Sequence, residues 1–185
     1  MGSEMCIRDS HRPVEVDISP EAPTTDRIEQ YIAFVQKADK RQLLIDLIEG
    51  QMVACGIVFT RTKHGANRLA KQLSKVGIPS DSIHGDKSQT ARTRALNAFR
   101  NGDVFILVAT DIASRGIDVE DITHVFNFDL PNEPEVYIHR IGRTARAGRD
   151  GLAYSFCDET ESGYLVGIQR LLGEEIEVLE LSLIH

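Results

Sequence analysis

The apolar residues of the chain switch repeatedly between short compact runs and stripes with helical spacing. Compact runs are typical of strands buried on both faces, and four of them lie at residues 56–59, 104–108, 122–128 and 152–156. A fifth run, at residues 28–35, predicts one more strand. Because such strands alternate here with amphipathic stretches, the pattern predicts a mostly parallel sheet with helices on both faces.

Apolar positions three and four residues apart predict the helices. They lie at residues 39–49, 66–76, 88–100, 136–141 and 160–172. Ser88 has the position of an N-cap, and Asn132 with Glu135 has the spacing of an N-cap and its third helical residue. Glycines suited to ending a helix follow four of these stretches, at Gly77, Gly102, Gly142 and Gly173.

Length and composition indicate one globular domain. The chain has 185 residues, of which 42% are hydrophobic and 26% charged. No apolar run approaches the ~20 residues that span a bilayer, and no signal-peptide pattern opens the chain, so we expect a cytoplasmic protein without a membrane partner. The three cysteines and six histidines lack the C-x-x-C and H-x-x-x-H spacings of metal sites, so no bound structural metal is predicted.

The two ends do not share this pattern. Residues 1–11 and 181–185 show no stripe and resemble translated adaptor sequence. We therefore expect the native domain to run from residue 12 to residue 180, with a non-native leader and tail on either side.

Charge is distributed unevenly along the chain. The formal net charge is −7, yet residues 61–75 carry five Lys or Arg with no acid, and residues 139–149 carry four Arg with no acid. Acidic residues are concentrated at 158–180. A basic face on an acidic body would suit a phosphate-binding surface, whereas the alternative is a set of ordinary solvated helix faces.

Two segments that follow predicted strands contain candidate binding residues. Thr60, Arg61 and Thr62 stand at a strand-to-helix turn, where hydroxyl, guanidinium and backbone N–H groups can bind an anion; plain helix capping is the alternative. The segment 109–118 combines Thr-Asp at a strand end with a later glycine and a second aspartate, which suits nucleotide binding better than simple turn chemistry.

The arginines of residues 139–146 are the strongest chemical signal. Arg140, Arg143 and Arg146 recur three residues apart at a predicted helix end. Some positive charge is expected there from the helix dipole, and a solvated basic end is the alternative. Fixed guanidiniums that point at one place repel each other unless an anion lies between them, and a triphosphate is such an anion. The chain nevertheless has no P-loop and no G-x-G.

These segments together resemble a known family. In order and spacing they are similar to motifs IV, IVa, V and VI of DEAD-box RNA helicases: IVFTRT (57–62), IHGDKSQTAR (83–92), VATDIASRGIDV (108–119) and YIHRIGRTARAG (137–148). The residues of these motifs are most similar to those of the bacterial RhlE-like subgroup. The resemblance implies the second of two RecA-like domains, an α/β three-layer sandwich, whose partner domain carries the Q motif, P-loop and DEAD box.

The resemblance also implies roles for individual residues. It assigns to RNA-backbone binding Thr60, Arg61, Thr62, Gly85, Gln89, Arg92, Thr110 and Asp111. It assigns Gly116 and Asp118 to the nucleotide, and Arg143 and Arg146 to arginine fingers that contact it. It assigns to interdomain coupling Arg115, His139 and Arg140, and it counts His139 and Arg140, with the two arginine fingers, as catalytic. Ala145 stands where many members have glycine.

The sequence therefore predicts the C-terminal RecA-like domain of an ATP-dependent RNA helicase, inactive by itself. The expected partners are RNA and the N-terminal RecA-like domain, which would bind most of ATP and Mg²⁺, and we expect a monomer. One alternative is a stand-alone RNA-binding or annealing module. Another alternative is half of a DNA-translocating helicase. The HRIGR sequence at 139–143 and the segment from Gln89 to Arg92 fit this alternative less well.

Overall fold

A seven-stranded sheet organises the molecule, in the strand order β3-β4-β2-β5-β6-β1-β7. The computed structural model describes residues 27–114, 117, 119, 121–146 and 148–180. All the strand pairings within this part of the chain are parallel. The predicted α/β architecture with a mostly parallel sheet is confirmed. The predicted leader and tail lie outside the described residues.

The strands and helices alternate along the chain. The strands are β1 Ile28–Phe34, β2 Gly56–Phe59, β3 Ser80–Ile83, β4 Ile106–Ala109, β5 His124–Asn127, β6 Gly151–Cys157 and β7 Glu177–Val178. The helices are α1 Lys40–Gly50, α2 Lys63–Lys75, α3 Gln89–Arg100, α4 Asp111–Ser114, α5 Pro134–Ile141 and α6 Ser162–Leu172, the last preceded by a 3-10 turn, Glu159–Glu161. No helix among the described residues is both long enough and apolar enough to cross a membrane.

The sheet separates two hydrophobic cores, because successive strand residues point to opposite faces. On β2, Ile57 and Phe59 join the core under α3, α5 and α6, whereas Val58 joins the core under α1 and α2. Helices therefore cover both faces of the sheet, as the compact apolar runs predicted. Ser88 accepts a hydrogen bond from the Ala91 N–H at the start of α3, which confirms the predicted cap.

Three elements and one cap differ from the sequence prediction. Strands β3 and β7 and the single turn α4 were not predicted; β3 is a polar edge strand and β7 has only two residues, so neither shows a buried apolar run. The predicted Asn132 cap is wrong. Helix α5 begins at Pro134 with Glu133 as the N-cap residue and without a side-chain cap. Proline supplies a preset φ at the first helical position, which explains the start.

The carboxyl ends of β2, β3, β4 and β5 lie level with one another along one side of the sheet, its carboxyl edge. Phe59 pairs with both Ala109 and Asn127, and Ile83 pairs with Ala109. The segments that follow β2, β3, β4 and β5 therefore emerge together at this edge, which is where ligands bind in open parallel sheets.

Candidate functional site

Arg140 of α5 is buried at the carboxyl edge of the sheet and joins three segments. Its Nε and Nη2 donate to the two carboxylate oxygens of Asp111, at 2.6 and 2.9 Å. Its Nη1 donates to Asn127 Oδ1 at 3.2 Å and to the Asp129 carbonyl at 2.6 Å, and its guanidinium lies 5.0 Å from the centroid of the Phe59 ring. With 2% of its side chain exposed, Arg140 holds the segments after β4 and β5 together.

A second buried charge cluster joins α1 to the end of β6. Lys40, only 1% exposed, forms ion pairs with Glu161 and, at 3.2 Å, with Asp158. The other oxygen of Glu161 accepts hydrogen bonds from Arg61 Nη2 at 2.9 Å and from the Leu130 N–H at 3.1 Å. Glu161 and the Leu130 carbonyl, which Arg61 Nη2 contacts at 3.1 Å, thus tie Arg61 to the interior of the domain.

Asp158 opens the 3-10 turn and orients Glu161. Its side chain accepts from the N–H and hydroxyl of Thr160, and together with Glu161 it forms a reciprocal capping box. Burial alone would raise the pKa of Asp158, but the hydrogen bonds from Thr160 and the charge of Lys40 outweigh it and lower that pKa. The sequence predictions do not include this cluster. Its signals in the sequence are the D-x-x-E spacing of residues 158–161 and Lys40, which begins an apolar helical stripe.

The three residues after β2 have distinct surroundings. Thr60 is buried and its hydroxyl donates to the Thr62 carbonyl at 3.3 Å. Thr62 caps α2 by accepting from the Gly65 N–H at 3.0 Å, so capping describes its contact in this domain. Arg61 has 46% of its side chain exposed and remains accessible, despite its ion pair with Glu161. Of the three, Arg61 and Thr62 present polar groups at the surface.

The predicted residues after β3 and β4 lie next to each other. Gly85 and Gln89 are exposed at the start of α3. Arg92, one turn further along α3, is half-buried and its Nη2 lies 3.5 Å from the Ala113 carbonyl oxygen. Thr110 stands between β4 and α4, and its N–H donates to the Ile83 carbonyl at 3.2 Å. The structure thus brings together the candidate RNA residues of three segments.

Arg143 and Arg146 lie at the end of α5 in a different setting from Arg140. Their Nε atoms each donate to a backbone carbonyl four residues earlier, at 3.3 Å. No ion pair to either guanidinium is found in the part of the chain that the structure describes. Burial, and to a smaller extent the positive charge of Arg146, lower the pKa of Arg143.

A cavity of about 330 Å³ adjoins Arg143 but not Arg146. It is lined by Asp111, Ser114, Val136, His139, Arg140 and Arg143. His139 is exposed at its rim. The cavity therefore presents one half-buried arginine and one exposed histidine to the outside, while the Arg140 guanidinium is held by Asp111 on its wall.

The chain reaches Arg146 through a strained residue. Ala145 has φ of +55°, a left-handed conformation that costs a residue with a Cβ atom about 1 kcal/mol. Glycine would adopt it without this cost, which gives a physical reason for glycine at this position of the motif.

Three predicted site residues, Arg115, Gly116 and Asp118, lie outside the described residues. Among those described, no group of three or more His, Cys, Asp or Glu side chains is placed to hold a metal ion.

Comparisons with known proteins agree with this arrangement. Residues 39–148 match the helicase conserved C-terminal domain family. The ATP-dependent RNA helicase CshA of Listeria monocytogenes is 38% identical over 170 residues, which are 92% of this chain and 33% of that protein. The DEAD-box ATP-dependent RNA helicase CshA of Geobacillus kaustophilus is 41% identical over 167 residues, or 90% of this chain and 36% of that protein. The chain thus spans about a third of the length of these relatives.

Solved structures share the fold. The E. coli DEAD-box protein SrmB, in its complex with regulator of ribonuclease activity A, superposes with a TM-score of 0.81 at 36% identity, covering 85% of this chain and 94% of that one. S. cerevisiae Dbp5 bound to RNA and ADP BeF3 gives 0.77 at 36% identity, covering 83% and 42%. With the motifs, the sheet and these likenesses in agreement, the chain belongs to the helicase conserved C-terminal domain family, as the C-terminal RecA-like domain of a DEAD-box protein.

Proposed function

We propose that this domain works as one half of an ATP-dependent RNA helicase, which separates short duplexes locally. Its carboxyl edge would bind the backbone of single-stranded RNA, and Arg143 and Arg146 would reach ATP held by an N-terminal RecA-like domain. Mg²⁺ would be bound with ATP on that facing domain. The subgroup also stays a prediction. The residues of the motifs favour an RhlE-like protein, while the two relatives described above are CshA proteins.

The observation that carries this proposal is the contrast between the arginines of α5. Arg140 has its charge balanced by Asp111, whereas Arg143 and Arg146 each donate from Nε to a backbone carbonyl and form no ion pair with any described residue. An anion that lies between two neighbouring cations offsets their mutual repulsion and so lowers the free energy of the arrangement. The triphosphate of a nucleotide supplies that anion, and dense negative charge develops on its γ-phosphoryl oxygens during transfer.

Each group of residues would have a definite part in the cycle. Arg61, Thr62, Gln89, Arg92 and Thr110 would bind RNA phosphates and sugars, with Gly85 allowing close approach and Thr60 and Asp111 shaping the surface from beneath. Arg140 would act as a positioning residue, because its guanidinium is already held within the domain. His139 and Arg115 would contact the facing domain, and Gly116 with Asp118 the nucleotide. Arg143 and Arg146 would stabilise the transition state once closure excludes water.

RNA binding by the isolated chain tests the first half of this proposal. We expect weak binding of single-stranded RNA with little sequence preference and a strong salt dependence, since the contacts are to the backbone. Gln89→Ala with Arg92→Gln should weaken binding by about 1 kcal/mol, roughly fivefold, on every sequence. Arg170→Gln, an exposed arginine on α6, is the control. Fluorescence anisotropy at several salt concentrations measures it, and strong discrimination between sequences would contradict it.

The same preparation tests the two-domain requirement. Phosphoryl transfer needs a phosphate cradle and a positioned metal ion, and the sequence contains no P-loop. We therefore expect no ATPase activity from the 185-residue chain with or without RNA. RNA-stimulated turnover by this chain alone would contradict the proposed division of labour and favour a different enzyme.

A further inference from the structure

A second cleft opens on the other side of the sheet, between the N-terminal halves of α1 and α2. Its volume is about 460 Å³, within the usual range of ligand pockets. Polar and charged residues dominate its lining, among them Lys37, Arg41, Arg61, Arg68, Gln72 and Asp129. It lies apart from the cavity beside Arg143, with which it shares no lining residue.

The charges around this cleft are strongly unbalanced. Lys37, Arg41 and Arg68 are exposed, and none of them forms an ion pair within the described part of the chain. The carboxylate of Asp129 is engaged by the Arg61 N–H at 2.9 Å. A concentration of cations in a chain of net charge −7 raises the local affinity for an anion.

The buried ion pairs beneath the cleft do not cancel these charges. Lys40 lies on the cleft floor, where it and Arg61 form ion pairs with Glu161 and Asp158, so that two cations balance two carboxylates. The lysine therefore closes the floor without adding net charge, and the surplus comes from the rim.

The positive charge continues outward along α2. This helix carries Lys63, Arg68, Lys71 and Lys75 and has no acidic residue. Arg68, Lys71 and Lys75 recur at spacings of three and four, so they lie along one face of the helix. A row of cations fits a linear polyanion better than it fits a single phosphate ion.

We propose that this cleft and the adjoining basic face of α2 form a second phosphate-backbone site, which binds the RNA strand where it continues beyond Arg61 and Thr62. The inference rests on the proposed function, since it needs RNA at the residues after β2. Continuity favours RNA over an acidic protein segment: Arg61 and Thr62 line the cleft and also belong to the predicted RNA surface. A strand bound at those residues enters the cleft without crossing uncharged surface.

The test compares a short single-stranded oligonucleotide with one twice as long, using the 185-residue chain. Arg41→Gln with Arg68→Gln removes two rim charges from the cleft. Arg149→Gln with Arg170→Gln removes two exposed charges elsewhere and serves as the control. We expect the cleft variant to bind the long oligonucleotide about tenfold more weakly at low salt, with a salt slope smaller by about 1.4 for two lost phosphate contacts. Binding of the short oligonucleotide should change less than about twofold.

Each other outcome overturns the inference in a recognisable way. If both oligonucleotides bind the parent chain but the cleft variant matches the control on both, the cleft takes no RNA while the proposed function stands. If neither oligonucleotide binds the parent, the proposed function fails and the inference fails with it. If the cleft variant loses binding of a poly-glutamate peptide but not of the long RNA, the cleft is a site for acidic protein. Circular dichroism of each variant establishes that it is folded.

Discussion

Two groups of Lys and Arg side chains in this domain have the same charge but differ in their burial and in their ion pairs. The buried ion pairs, Lys40 with Glu161 and Arg140 with Asp111, each place a nearly inaccessible cation against a carboxylate. The arginine pair, Arg143 and Arg146, is half-buried and has no ion pair among the described residues. The first group joins segments at the carboxyl edge of the sheet. For the second group, we propose that the charge serves a phosphate outside the domain.

This comparison shows why residue type alone does not assign a role. Arg140 and Arg143 belong to one motif and lie three residues apart, so their spacing does not show which of them has a charged partner inside the domain. The structure separates them, because Asp111 and the Asp129 carbonyl meet only Arg140. Partners far apart along the chain decide which arginine is held.

The largest effect is expected at the more deeply buried ion pair. Glu161→Gln leaves Lys40 buried with only the charge of Asp158 to balance it. It also removes the charge that pairs with Arg61, whose Nη2 still donates to the Leu130 carbonyl. Breaking a buried pair by changing one member costs about 3–5 kcal/mol of the free energy of unfolding. Urea unfolding followed by circular dichroism measures this loss.

A companion variant separates charge from packing in that experiment. Lys40→Met added to Glu161→Gln removes the buried cation and should recover part of the lost stability. A loss below about 1 kcal/mol for Glu161→Gln alone would mean that the cluster behaves like an exposed ion pair, and the contrast between the two groups would fail.

A smaller effect is expected at Asp111, which is partly exposed. Asp111→Asn removes the charge but keeps one acceptor for Arg140, which also retains Asn127 and the Asp129 carbonyl. We expect a loss of about 1–2 kcal/mol in the free energy of unfolding. Asp121→Asn, at the exposed pair with Arg149, is the matched control and should change stability by only a few tenths of a kcal/mol. Equal losses at the two positions would contradict a structural role for Arg140.

The smallest effect on stability is expected at the arginine pair. Arg143→Gln and Arg146→Gln should each leave the free energy of unfolding within about 0.5 kcal/mol of the parent, since no ion pair to a described residue is lost and mutual repulsion is relieved. Thermal unfolding monitors both variants. A loss above about 2 kcal/mol would show that a carboxylate of this domain holds one of them.

The sequence could predict most of the sheet because buried strands leave compact apolar runs, as at Gly56–Phe59, where the predicted and observed strands coincide. Strand β3 was not predicted, because an edge strand is open on one side and needs no compact apolar run. The motifs singled out Arg61 and Arg140, and the side chains of both contact backbone carbonyls of the segment that follows β5. Their contacts with Glu161 and Asp111 escaped, because they join residues 100 and 29 positions apart and depend on side-chain geometry.

The central claim, that the arginine pair serves a phosphate bound outside this domain, has one direct test. In a chain that joins this domain to an N-terminal RecA-like domain, Arg146→Ala should lower the kcat of RNA-stimulated ATP hydrolysis by at least about two decades, allowing for partial replacement by Arg143. Arg149→Ala, whose side chain pairs with Asp121, should leave kcat within about twofold of the parent, a change below about 0.5 kcal/mol. A folded Arg146→Ala protein with kcat within about threefold of the parent, a difference of about 0.65 kcal/mol, would contradict the claim.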